Sequence, residues 1–144
     1  MKKLVVFLAL CGFFFSGYAQ SPNYKEDLAK VFETIKSRAF KNSFQYVITY
    51  DNVNDASFFV KPSKTYLVCY VYDISPRVVT NFKAYLMTDN KEIQKKYTGK
   101  PYDVGLIGSA RVARLDIITP AFDGEKRPIK IEASPAATIY IFEK

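Results

Sequence analysis

The sequence contains no histidine and no tryptophan, and only two cysteines. Without histidine the chain lacks the commonest general base, the commonest metal ligand, and every Ser-His or Cys-His nucleophile pair. Two cysteines cannot form a cysteine-rich zinc site. No GxGxxG, P-loop or GxSxG pattern occurs; Gly105-Leu106-Ile107-Gly108 has two glycines but not the rest of such a motif. A pair of carboxylates is the remaining candidate for hydrolytic acid–base chemistry. Asp51, Asp55, Asp73, Asp103 and Asp116 could converge as a hydrolase pair, but no spacing singles one pair out. The sequence therefore predicts no enzyme.

Long apolar runs are also scarce, with one exception at the beginning. Lys2 and Lys3 precede the apolar run 4–15, and Gly17 and Ala19 supply the small residues that a signal peptidase reads. This order predicts a secretory signal over residues 1–19, cut before Gln20, and the run is too short to span a bilayer as a helix. Cys11 would leave with that segment, so Cys69 would be the sole cysteine of the mature chain, a buried small hydrophobe without a disulfide partner. The whole chain carries 21 basic and 14 acidic residues, a net charge of +7. Losing Lys2 and Lys3 leaves 19 basic residues and a net charge of about +5. Residues 20–144 suffice for one domain with its own core.

What remains is rich in aromatic and β-branched residues. Thr65–Ile74, TYLVCYVYDI, is apolar on both parities, Leu67, Cys69 and Val71 against Tyr66, Val68, Tyr70 and Tyr72. A strand of that kind must be covered on both faces, which predicts the centre of the sheet. A single helix is expected over 22–41. Leu28, Val31, Phe32, Ile35 and Ala39 share one face, and Asn23 with Glu26 has the form of a capping box. Its acidic first turn and its basic end at Lys36, Arg38 and Lys41 complement the helix dipole.

From Ser43 onward the period falls to two. Strands are expected over 43–50, 56–60, 65–74, 78–88, 92–97, from near Ser109 to 119, 129–133 and 138–142. Asp51–Asp55 forms a turn, and Ser134-Pro135 separates the last two strands. Lys95 and Lys96 mark 92–97 as an edge. Seven to eight short strands without intervening helices predict a mainly-β, antiparallel jelly-roll or Ig-like sandwich over 43–143, preceded by one amphipathic helix.

The segment 65–143 resembles the bacterial pre-peptidase C-terminal domain family. Thr65-Tyr66-Leu67-Val68 with Asp73, the run Asn81–Lys91, and Ile139-Tyr140-Ile141 carry the likeness. The resemblance implies a small sandwich on a secreted protein. Asn81 and Lys91 stand where the family has an acidic residue and a turn glycine, so its acidic ligand site is not implied here.

Two candidate sites follow from the residues. Tyr46 and Tyr50 on one strand, and Tyr66, Tyr70 and Tyr72 on another, would form stripes. If exposed they are a stacking platform for sugar rings or a protein; if covered by the helix they are core. Asp51, Asn54 and Asp55 could give calcium three or four of the six to eight oxygens it requires, although Val53 occupies a ligand position of the EF-hand pattern. The alternative is an Asx-rich turn. Scattered positive charge points to anionic envelope polymers or acidic glycans as partners of an exported protein, not to nucleic acid. The expected function is a non-catalytic binding or interaction module of the bacterial cell envelope, periplasmic, extracellular or associated with the outer membrane. Its partner would be an envelope protein or a neutral or anionic glycan. A carbohydrate-binding module and, further off, a carboxylate hydrolase are the alternatives.

Overall fold

The computed structural model describes residues 23–74 and 81–144. The expected signal segment lies outside them. One helix, α1 (Tyr24–Lys41), precedes seven antiparallel strands. They are β1 (Gln45–Val60), β2 (Thr65–Asp73), β3 (Asn81–Met87), β4 (Ile93–Thr98), β5 (Lys100–Pro101), β6 (Ala110–Ile118) and β7 (Arg127–Glu143). The fold is mainly β, as its sequence periods predict, in a nearly closed, sandwich-like sheet.

β7 holds the layers together. Its second half, 138–143, pairs with β2, and its first half, 129–134, pairs with β3 on the same edge. Its other edge pairs with β1 from end to end, Gln45 opposite Glu143 and Val60 opposite Arg127. One layer therefore runs β1, β7, β2, β6, β5, and the other β1, β7, β3, β4. The two long strands bend from one layer into the other. On the far side the chain crosses between layers at Gly99, from β4 directly into β5. A Cβ there would come within 2.6 Å of a ring carbon of Phe82, so only glycine lets the crossing lie this close to the core. The Tyr97 hydroxyl then donates to the Ile118 carbonyl at 3.0 Å, tying β4 to β6.

β2 is covered on both faces, as its sequence requires. Tyr66, Val68 and Tyr70 join Phe82, Leu86, Leu115, Ile131 and Ile139 in the core between the layers. Leu67, Cys69 and Val71 face outward and are sealed, with Tyr140 and Phe142, by Val31, Ile35 and Ala39 of α1. Each fully buried apolar side chain of this kind contributes roughly 1.5–3 kcal/mol of transfer free energy. Ala113, Leu115 and Ile117 are buried on β6, as expected, with Arg114 and Asp116 on its other face.

Four expectations are corrected. Asp51–Asp55 is not a turn between two strands. β1 continues through it as an irregular bend, with register shifts between Tyr50 and Asp55 and Asn52 at φ +50°. The turn-prone residues are accommodated because β7 bends opposite them. Likewise 129–133 and 138–142 are one strand. Pro135 and Ala136 lie between the segment paired to β3 and the segment paired to β2, so the amide that proline lacks has no ladder partner to lose. The capping box does not form: Asn23 sits at φ −97°, ψ 5°, close to helical, and its side chain makes no capping bond. Finally, Tyr66, Tyr70 and Tyr72 do share one face of β2, but Tyr46 and Tyr50 do not form a stripe on β1. A bulge at Val47, with Tyr46 opposite Phe142 and Ile48 opposite Ile141, inverts the parity of β1.

Candidate functional site

The bulge decides where the five candidate tyrosines go. Tyr46 turns toward the helix side and meets Phe32 and Phe142 edge-on, at centroid distances of 5.8 and 5.9 Å. Tyr50, past the bulge, packs against the core between the layers, and its hydroxyl donates to the Ser57 carbonyl at 3.0 Å. Tyr66 and Tyr70 are fully buried. The Tyr70 hydroxyl reaches the Pro135 carbonyl at 2.6 Å, and that of Tyr66 accepts from the Lys61 amide at 2.9 Å. Tyr72 is partly buried and stacks on Tyr70 at 5.3 Å. The Tyr66 phenol is pushed up to about 12, chiefly by burial, with the bond from Lys61 opposing the rise and the nearby Glu143 carboxylate adding to it. Tyr70 is raised as well, by burial first and then by its tyrosine neighbours. The five rings are thus divided between two sides of the sheet, and Tyr46 alone is well exposed.

Asp51, Asn54 and Asp55 lie on the exposed bend of β1. Asp51 and Asn52 form one wall of a groove of about 690 Å³, whose other walls are Tyr24, Lys25 and Leu28 of α1 and Ala137 and Thr138 of β7. Asp55 pairs in register with Glu132, whose carboxylate meets the Lys130 ammonium at 3.4 Å. Among the described residues, no three histidine, cysteine, aspartate or glutamate side chains come together as a metal site. The other candidate carboxylates are occupied separately. Asp103 accepts from the Gly105 amide at 2.9 Å, and Asp116 is held by Arg114 and by Lys100 at 2.8 Å. Asp73 is buried at the end of β2.

A feature the sequence reading missed is the free edge of β1. Among the described strands, β1 pairs with β7 alone, so alternate residues along it present main-chain donors and acceptors at a second edge. Tyr46, Val47, Ile48 and Phe59 are exposed along it. Sheets commonly guard such edges with lysine, proline or short strands. The opposite border does so: β4 carries Lys95 and Lys96, and β5 is two residues long and ends in Pro101. From residue 45 to 60 there is no lysine, arginine or proline, and the only charges are Asp51 and Asp55. That composition was the available signal. Reading 51–55 as a turn cut the strand in two and concealed it.

No helix of the described residues is long and apolar enough to cross a membrane. Compared with models of known protein families and with curated proteins, the chain matches none.

Proposed function

We propose that this protein is an exported, non-catalytic binding module of the bacterial cell envelope that holds an extended segment of a partner protein along β1. The free edge of β1, which carries no lysine or proline, supports this reading. Strand addition draws affinity from main-chain hydrogen bonds, and side chains at alternate positions supply specificity. The partner segment would place apolar residues against Tyr46–Ile48 and basic ones near Asp51 and Asp55. A second copy of the chain fits less well. In the antiparallel register centred on Val53, Asp51 of each copy would face Asp55 of the other, and like charges directly opposite destabilise a pair. Export rests on the charged, apolar and small-residue order of residues 1–19. The carbohydrate alternative has less support, because a sugar platform needs exposed, coplanar rings and Tyr66 and Tyr70 are core.

The test is a photo-cross-linking residue placed at Val47, or at Lys96 as a control, in the full chain expressed in its host. The expected result is an adduct with one other polypeptide from position 47, absent from position 96 and abolished by Ile48→Lys. No adduct, equal adducts from both positions, or an adduct of two copies of this chain would overturn the reading.

A further inference from the structure

The C-terminal turn of α1 meets the start of the loop after β5, the middle of β6 and the last residue of the chain around a cavity of about 220 Å³. Arg38, Arg114 and Lys144 all line it, together with Asn42 and Tyr102, and no aspartate or glutamate does. Basic residues at the end of a helix usually find their reason in the dipole. Here that end is already satisfied by other groups. The Arg38 carbonyl accepts from the Asn42 side-chain amide at 2.8 Å, the Ala39 carbonyl from the Asn42 and Phe44 amides at 3.0 Å, and the Phe40 carbonyl from the Ser43 amide at 3.0 Å. The Arg38 guanidinium instead reaches across to the Asp103 carbonyl and lies over the Tyr102 ring, 5.9 Å from its centroid.

Arg114 lies 4.7 Å from the centroid of the same ring. Tyr102 and the bonds to Asp103 and Asp116 therefore hold two guanidinium groups in place before any ligand arrives. The one nearby carboxylate is shared: Asp116 Oδ1 serves Arg114 and Oδ2 serves Lys100. Among the described residues, neither Arg38 nor Lys144 has an ion-pair partner. Three cationic side chains around a partly enclosed space, two of them without an ion-pair partner among the described residues, repel one another, and a bound anion relieves that repulsion. Guanidinium forks match the planar or tetrahedral oxygens of carboxylate and phosphate. The cavity is smaller than the roughly 300–1,000 Å³ that accommodates a drug-sized ligand, so it fits one charged group.

We infer that this cavity is a binding site for the oxyanion group, carboxylate or phosphate, of an anionic ligand, with Arg38, Arg114 and Lys144 as its cationic contacts. The site is separate from the β1 edge and does not depend on it. The test titrates the purified protein calorimetrically at low ionic strength, with inorganic phosphate and, separately, with glucuronate. One equivalent of at least one probe should bind and weaken with added salt. Arg38→Gln and Lys144→Gln should each weaken binding by about tenfold, the effect of losing a charge-assisted contact, while the protein stays folded with a melting temperature shifted by no more than a few degrees, because both side chains are exposed. Binding of phosphate alone assigns a phosphoryl group, and of glucuronate alone a uronic acid; both fit the inference. No binding of either probe, or binding indifferent to both substitutions, would overturn it.

Discussion

The hydroxyl of Tyr24 donates to the main-chain carbonyl of Val71 across 3.1 Å, joining the first turn of the helix to the strand it covers. Tyr24 is almost fully buried, and burial, with the Asp73 carboxylate adding to it, pushes its phenol up to about 12. Tyr24→Phe keeps the ring and loses the bond, so it should cost about 1 kcal/mol in urea unfolding. The raised phenols also set an alkaline limit. A group that stays neutral in the folded chain above its ordinary value of 10 contributes stability that is complete below pH 10 and lost as the pH rises toward 12. Stability should therefore fall across that window. Tyr24 and Tyr66 should ionise in the ultraviolet only as the fold opens, whereas titration of all tyrosines near pH 10 without unfolding would contradict their burial.

Gly108 fixes how the helix is seated. Its φ is +52°, and a Cβ on it would fall onto the carboxylate of the buried Asp27. Gly108→Ala combines backbone strain with overpacking and should destabilise by about 2–4 kcal/mol. Pairing it with Asp27→Ala should recover part of that loss in a double-mutant cycle, because the clash disappears while the strain persists.

Asp116 gives the acid limit. Burial alone would raise its carboxyl, but the hydrogen bonds and charges of Arg114 and Lys100 outweigh burial and hold it below its ordinary 3.8. Such a group contributes stability that is present above pH 3.8 and lost as the pH falls below it. Asp116→Asn should cost about 0.5–1 kcal/mol at neutral pH, a modest figure because the pair is partly exposed and screened by solvent. It should also flatten the acid limb of the stability profile. An unchanged acid limb would mean the pair contributes nothing to folding.

Cys69 sits between the helix and the sheet, fully buried. Burial pushes its thiol up to about 12, with Arg114 lowering and Asp116 raising it by smaller amounts. A thiol-specific reagent should leave it untouched in the native protein and label it in denaturant. Rapid native labelling would show that α1 detaches from β2.

Elements whose residues answer to one local rule were legible in the sequence. Apolar residues on both parities announced the double covering of β2, the 3,4 spacing from Leu28 to Ala39 announced α1, and Lys95 and Lys96 announced the edge at β4. What escaped was fixed by partners distant in the chain. Asp51–Asp55 has the composition of a turn, yet it continues as strand because Ser134–Ala137 bends beside it. The parity of Tyr46 and Tyr50 depends on one extra residue, Val47, which only the register against β7 reveals. Arg38, Tyr102, Arg114 and Lys144 converge from four parts of the chain, and nothing local to any of them signals the cavity they form.

The sharing of β7 among three strands also governs when this chain can fold. β1, β2 and β3 are all synthesised before β7, and each takes β7 as a neighbour, across separations as long as Gln45 to Glu143. Until residues 127–143 emerge, half of the fold's ladders have no second strand. Contacts this distant close long loops before they return any stabilisation, which places folding on the slow, millisecond-to-second side of single-domain proteins. A nascent chain of this kind stays open during synthesis, a condition that would suit the export proposed above, because an open chain can be threaded before the sheet locks. A truncation within β7 would accordingly not trim the domain; it would leave β1, β2 and β3 without their shared neighbour and hold the chain open.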